Sequence, residues 1–166
     1  MNLIIHDLTE TDFREIVPLI NEETTVISDN GTIHFCIGCF DCWIKTPGVC
    51  IFKDTYKDLG QLFSKCSKII VISKCEYGGY SPFVKNVWDR SISYLLPYFT
   101  KKNNETHHKM RYDNKFTLVV HFYGNNISQN ELVTAEKLIK ANCVNFTGIP
   151  EIHFHNSIAE IKENII

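Results

Sequence analysis

The run Lys68-Ile69-Ile70-Val71-Ile72-Ser73 is the part of the sequence that best indicates the fold. Its unbroken apolar stretch predicts a β-strand covered on both faces, as in the centre of a parallel sheet. A glycine-bearing loop follows, and Ser81-Pro82 then combines a favoured N-cap residue with the residue type favoured in a first helical turn. Strand, loop and helix in this order indicate an α/β protein.

The segment after Pro82 predicts one long helix. Apolar residues recur every three or four positions from Phe83 to Leu96, and Pro97 closes the pattern. We therefore expect this helix to pack on the sheet. The polar residues 100–114 that follow are expected to form a loop.

Strand and helix patterns alternate along the remaining chain. Extended segments are predicted at residues 3–6, 24–28, 32–35, 116–122 and 151–155. Helices are predicted at residues 11–20, after Asp54 as an N-cap, from a Ser128/Glu131 capping box to Cys143, and in a short tail. This alternation predicts an α/β sandwich with a mostly parallel sheet, formed by one domain that spans residues 1–166.

Composition restricts the function classes. The 166 residues are 44% hydrophobic and 22% charged, with a net charge of -2, and no basic run is longer than Lys101-Lys102. We therefore expect neither nucleic acid nor a membrane as partner. The apolar start is too short for a secretion signal, so a cytoplasmic protein is expected. In that compartment the seven cysteines are interpreted as thiols, metal ligands or redox groups.

Four of those cysteines lie in one short loop, at Cys36, Cys39, Cys42 and Cys50. Their spacing places thiols near enough to converge on one centre, as tetrahedral zinc and iron-sulfur sites require. The alternative is that they pack as small apolar side chains against Phe40 and Trp43.

Ligands of open α/β sheets bind beyond the carboxyl ends of the strands, near the switch point. The loops at Asp7, Cys75 and Tyr123 are therefore where a cofactor is expected. We expect the cysteine loop at this same edge of the sheet, which is called the rim below.

Three blocks of sequence carry a resemblance to a known family. They are Cys36-x-Gly38-Cys39-Phe40-x-Cys42-Trp43-x-Lys45-Thr46-Pro47-Gly48-x-Cys50 with Asp54 downstream, Gly78-Gly79-Tyr80-Ser81 with Lys85, Asp89 and Arg90, and Glu105-x-His107-His108-x-x-Arg111-Tyr112. Over roughly residues 32–126 the chain resembles the flavodoxin-like NAD(P)H-dependent FMN reductases. The cysteine loop also resembles the cluster motif of the iron-sulfur flavoproteins.

The resemblance implies a flavodoxin-like three-layer sandwich with a parallel five-stranded sheet of order 2-1-3-4-5. It implies FMN at the rim, a nicotinamide nucleotide and a small electron acceptor as partners, a homodimer or tetramer, and a possible 4Fe-4S cluster on the four cysteines. The cofactor-binding residues it implies are Thr9, Thr11, Lys74, Cys75, Glu76, Tyr77, Gly78, Gly79, Tyr80, Tyr123 and Gly124. It assigns no catalytic side chain.

Two loops depart from the family. Its phosphate loop is rich in Ser, Thr, Gly and Asn, whereas this chain reads Asp7-Leu8-Thr9-Glu10-Thr11-Asp12. Each of these carboxylates would repel a phosphate by ~1 kcal/mol even at water-like dielectric. Lys74 and Glu76 stand where the family usually has proline and an aromatic residue. Two hypotheses follow: an FMN-dependent NAD(P)H oxidoreductase, or a domain with a decayed FMN site that serves as a cysteine-loop metal-binding or interaction module.

For several other residues, a structural and a functional interpretation both remain open. The Gly78-Gly79 segment is either a tight turn or a surface for a planar ring. His107 and His108 are either structural or in contact with a ligand. Asp89 and Arg90 are expected to pair with each other at the sheet edge.

Overall fold

A computed structural model describes residues 1–163 and contains a five-stranded, all-parallel sheet with strand order β2-β1-β3-β6-β7. The strands of the chain are β1 Asn2–His6, β2 Thr24–Ile27, β3 Lys68–Lys74, β4 Leu95–Lys102, β5 Glu105–Met110, β6 Phe116–Tyr123 and β7 Gly148–His155. With the separate antiparallel pair β4–β5 set aside, the order is the expected 2-1-3-4-5. The apolar run Ile69-Ile70-Val71-Ile72 lies in the central strand, β3.

Helices connect the strands. They are α1 Glu10–Ile16, α2 Asp41–Ile44, α3 Leu59–Phe63, α4 Pro82–Arg90 and α5 Gln129–Phe146, with 3-10 segments at Ser91–Tyr94 and Ile158–Glu163. The Ser128/Glu131 capping box is present at the start of α5. No helix in the described part of the chain is long and apolar enough to cross a membrane.

Each face of the sheet buries its own apolar cluster. Because side chains alternate along a strand, Leu3 and Ile5 face α3, α4 and α5, whereas Ile4 faces α1. Strand β3 contributes fully buried residues to both clusters. This explains its unbroken apolar run.

The predicted long helix is wrong in its second half. Helix α4 ends at Arg90, a 3-10 turn follows, and β4 begins at Leu95. Pro97, which was expected to end a helix, lies inside this strand. Proline disfavours the helical conformation of the residue before it, and β5 offers a hydrogen-bonding partner that periodicity does not reveal.

The expected loop at residues 100–114 instead contains most of a β-hairpin. Lys102 pairs with Glu105, and the two residues between them, Asn103 and Asn104, have φ of 51° and 65°. Two consecutive positive φ angles mark a primed hairpin turn, in which asparagine is favoured. The Asn-Asn pair was the signal in the sequence.

Several smaller predictions also change. Helix α3 begins at Leu59 rather than after Asp54, whose carboxylate accepts from Tyr56 N at 3.1 Å. Residues 32–35 form no strand. Helix α1 ends at Ile16, and the last strand begins at Gly148, before the predicted residue 151.

Candidate functional site

Asp7 lies across the rim at the carboxyl ends of β1, β3 and β6. Its Oδ2 accepts from Lys74 N at 2.8 Å, and its Oδ1 accepts from Tyr123 Oη at 3.0 Å. Asp7 N in turn donates to Ile72 O at 3.3 Å. The carboxylate thus connects three strand ends at the position where the order of the sheet reverses.

The two threonines expected to hold a phosphate are placed differently. Thr9 is the N-cap of α1: its hydroxyl donates to Asp12 Oδ2 at 2.6 Å and accepts from Asp12 N at 3.2 Å. Thr11 is exposed within α1. The hydroxyl of Thr9 is therefore already engaged, and two acids, Glu10 and Asp12, occupy the first turn.

The loop after β3 forms a tight turn. Glu76 and Gly79 exchange two backbone hydrogen bonds of 3.0 and 2.8 Å, while Tyr77 and Gly78 have φ of 54° and 76°. A Cβ on Gly78 would lie 2.7 Å from the Thr134 side chain, so this glycine allows the turn to pack on α5. Tyr77 is 92% exposed and is the ring available to a planar ligand.

The remaining predicted rim residues divide into available and buried ones. Lys74 Nζ lies 3.7 Å from Glu76 Oε1, and both line a small rim cavity with Cys75. Tyr80 is buried, and its hydroxyl accepts from Asn142 Nδ2 at 3.3 Å, so it supports the core rather than a ligand. Gly124 N donates to His155 O at 3.1 Å.

These positions fit one part of FMN and not the other. A flat ring could lie against the exposed Tyr77 and the backbone of its turn. The phosphate would lie beside the Asp7 carboxylate, the Thr9 hydroxyl, which is already hydrogen-bonded to Asp12, and the acidic first turn of α1. A phosphate dianion does not fit there, because it needs free N–H or hydroxyl donors and a positive field.

The four loop cysteines line one cavity of about 300 Å³. Its other lining residues include Ile37, Phe40, Phe52, Arg90 and Ile92. Burial, followed by the neighbouring Cys50, Cys36 and Cys39, raises the pKa of the Cys42 thiol to about 11. The four cysteines therefore line the same cavity.

Two side chains of α4 anchor this loop. Asn86 Oδ1 accepts from Cys36 N at 3.2 Å, and Arg90 Nη1 donates to His34 O at 2.7 Å. The guanidinium of Arg90 also lies over the ring of Phe52, 5.3 Å from its centroid. These contacts hold the loop along the C-terminal half of α4.

The cysteine cavity is separate from the rim cavity. Arg90 lies eight residues after Pro82, which corresponds to ~12 Å along the helix, and Pro82 begins α4 on the rim side. The cysteine cavity and the cavity of Lys74 and Tyr77 share no lining residue. The expectation that the cysteine loop lies at the cofactor rim is therefore wrong.

Residues of the third block pack against the same loop. Trp43 Nε1 donates to Leu95 O at 2.9 Å, and its ring contacts His108 with centroids 4.9 Å apart. His108 Nδ1 is 2.8 Å from Leu96 O, whereas His107 lies between Asn145 and Glu105. Both histidines thus have structural contacts, and one residue of each block, Trp43, Arg90 and His108, lies in or beside the cysteine loop.

No group of three or more His, Cys, Asp or Glu side chains in residues 1–163 is arranged to hold a single metal ion. The cysteines thus share a cavity without forming a closed mononuclear site. An iron-sulfur cluster spans several atoms, so its ligands stand further apart than those of one ion.

Solved structures resemble the whole chain. An FMN-dependent NADH-azoreductase of Bacillus anthracis, solved in complex with FMN, matches 98% of this chain and 92% of its own, with 11% identity and a TM-score of 0.55. An NADPH-quinone reductase of P. pentosaceus matches 93% and 84%, with 13% identity and a TM-score of 0.51. General stress protein 14 of Treponema denticola, also solved with FMN, matches 98% and 90%, with 14% identity and a TM-score of 0.50.

The fold is flavodoxin-like. This flavodoxin-like chain matches no model of a known protein family and none of the curated proteins. At such low identity the likeness to solved structures concerns the fold, and the residues of the site must be judged by their own geometry.

A histidine cluster at the β6–β7 edge of the sheet was not predicted from the sequence. His121 Nδ1 lies 3.0 Å from His155 Nε2, and the His121 ring stacks on His153 with centroids 4.8 Å apart. His153 and His155, two residues apart in a strand, were the only visible signal. The buried pair of Arg90 and Asp54 was also missed, because Arg90 was assigned to Asp89, which instead pairs with Lys85.

Proposed function

We propose that the protein is a flavin-dependent NAD(P)H oxidoreductase that passes electrons to a small acceptor. The observation that carries this proposal is the match of 98% of the chain to an NADH-azoreductase solved with FMN, together with the exposed Tyr77 in the loop after β3, at the edge where open α/β sheets bind ligands. A bound flavin would accept a hydride from the nicotinamide and pass the electrons to the acceptor.

The protein's own contribution would be binding and orientation. Tyr77 offers an aromatic face, the Glu76–Gly79 turn offers a rigid edge, and Lys74 places a positive charge beside them. Aromatic contact of this kind contributes both apolar burial and ring stacking. No side chain is assigned a proton-transfer role.

Flavin titration tests the proposal. Purified protein is mixed with FMN and with riboflavin, and flavin fluorescence and the thermal midpoint are followed. NADH and NADPH oxidation is then measured with a quinone and with an azo dye. Tyr77→Ala should weaken flavin binding, whereas Tyr98→Ala, at a 65% exposed position on the hairpin, should not. Unchanged fluorescence and midpoint with both flavins would contradict the proposal.

A second candidate is a cysteine-loop module that binds a metal centre or a partner. The observation that favours it is the single cavity lined by Cys36, Cys39, Cys42 and Cys50. Iron, zinc and sulfide content of protein prepared without oxygen tests this candidate independently of the flavin.

A further inference from the structure

Asp7 stands where an anionic ligand group would be expected to bind. We infer that this carboxylate makes the rim select a flavin without a phosphate group, such as riboflavin, over FMN. The inference rests on the proposed function and names the ligand class of the same site.

The Asp7 carboxylate accepts the hydrogen bonds that an anionic ligand would need. One oxygen takes the backbone N–H of Lys74 and the other takes the hydroxyl of Tyr123. Backbone N–H and hydroxyl groups at a loop rim are the donors that phosphates use in proteins. With both donors engaged, a phosphate would have to displace a carboxylate that is covalently part of the chain.

Thr9, the N-cap of the helix that follows Asp7, does not replace these donors. The hydroxyl of Thr9 is bonded to Asp12 in both directions. The first glycine of the chain is Gly31, so the loop after β1 lacks the residue type that lets backbone N–H groups wrap a phosphate closely. The first turn of α1 adds the negative charges of Glu10 and Asp12.

The electrostatic field at this point opposes a second anion. Burial and then Asp7 raise the pKa of the Tyr123 hydroxyl, with further contributions from Asp12 and Glu76. These three carboxylates therefore act on the Tyr123 hydroxyl, and the Lys74 ammonium beside Glu76 offsets part of their charge. At 4 Å each would weaken the binding of one phosphate charge by about fivefold even in water-like surroundings. Riboflavin carries no phosphate and avoids this repulsion.

Dissociation constants of riboflavin and FMN, measured by quenching of flavin fluorescence, test the inference. Wild type should bind riboflavin at least about tenfold more tightly than FMN. Asp7→Asn and Asp7→Ser should tighten FMN binding by about fivefold or more and change riboflavin binding much less. Glu22→Gln removes the same charge before β2, at the opposite end of the sheet, and should leave the ratio unchanged. Circular dichroism confirms that each variant is folded.

The outcomes separate the inference from the proposed function. Equal or tighter binding of FMN by wild type would overturn the inference and leave the flavin proposal standing. An unchanged ratio in both folded Asp7 variants would overturn it as well. Binding of neither flavin by wild type or by the variants would contradict the proposed function and the inference together.

Discussion

Arg90 and Asp54 form a buried, bidentate ion pair, with Arg90 Nη1 2.7 Å from Asp54 Oδ2 and Nη2 2.8 Å from Oδ1. Their side chains are 0% and 4% exposed. The pair joins the end of α4 to the segment after the cysteine loop, and Asp54 Oδ2 also accepts from His34 N at 3.1 Å. One interaction thus secures both ends of that loop.

Removal of one partner should be costly, because it leaves the other charge buried without compensation. We expect Asp54→Asn to lower the free energy of unfolding by about 3–5 kcal/mol. Asp89→Asn breaks the exposed pair with Lys85 and should cost less than about 1 kcal/mol. Urea denaturation of both variants checks this, and equal losses would contradict the structural role of Asp54.

Acid should weaken the same ion pair. Burial opposes the ionisation of Asp54, but the Arg90 guanidinium and the N–H groups of His34 and Tyr56 outweigh it and hold the pKa of Asp54 below its usual value. Because the folded pKa is depressed, the contribution to stability is present at neutral pH. It is lost as the pH falls below the unfolded value of about 3.9. Asp54→Asn should remove this part of the acid dependence.

Alanine substitutions at Gly78 and Gly31 distinguish the cost of backbone strain from the cost of steric overlap. Both have a positive φ, 76° and 73°, but a Cβ on Gly78 would lie 2.8 Å from Glu131 O, whereas nothing lies within 4 Å of one on Gly31. Gly31→Ala should cost about 1–2 kcal/mol of stability for the left-handed conformation alone. Gly78→Ala should cost clearly more, as measured by urea denaturation. A smaller loss at Gly78 would contradict the packing of the turn on α5.

The cysteine cavity should hold one centre or none, because a cluster requires the complete set of thiolates. If the cysteines hold a cluster, protein prepared without oxygen should be brown and should contain iron and sulfide. Cys39→Ala should abolish both, whereas Cys66→Ala, in the buried core outside the loop, should not. Colourless protein that contains neither iron nor zinc would leave the loop as a packed element whose thiols can be oxidised.

Exposed apolar residues of the cysteine loop and the hairpin predict a homodimer. Phe40, Ile44, Tyr98 and Phe99 are 56%, 74%, 65% and 63% exposed, and apolar surface of this kind commonly binds a partner. Light scattering at micromolar concentration should give a dimer, and Ile44→Asp and Phe99→Asp should give monomers. Leu19→Asp, at an 82% exposed position after α1, is the matched control. A monomeric wild type would refute the prediction.

Two buried histidines should make stability fall at mildly acidic pH. Burial lowers the pKa of His6 and of His121 to about 4, with His153 and His155 adding to the effect at His121. Between about pH 6.5 and 4 the unfolded chain binds more protons, so stability should decrease by an amount on the order of 3 kcal/mol per histidine as the pH falls. His121→Gln should make the free energy of unfolding depend less steeply on pH in this range. The stability of each protein at pH 8 is the reference from which its loss is measured. A slope equal to that of wild type would contradict the prediction.

The sequence by itself determined the parallel sheet and the ends of its best helices. Ile69 to Ile72 identified the central strand because an apolar residue at every position is stable only where both faces of a strand are covered. Ser128 and Glu131 fixed the start of α5 because a capping box satisfies its own backbone donors locally. The cysteine spacing predicted one shared centre, and the four cysteines line one cavity, which contacts with α4 help to form.

Only the tertiary structure decided where those parts lie and which partners they take. Residues 95–102 form a strand rather than the end of a helix because β5, distant until the hairpin closes, supplies hydrogen bonds. Arg90 took Asp54, 36 residues away, rather than the adjacent Asp89, because a buried guanidinium requires a buried carboxylate. Asp7 accepts hydrogen bonds from Lys74 and Tyr123 for a different reason. Parallel strands bring residues that are distant in sequence to one edge of the sheet, and these contacts depend on that placement.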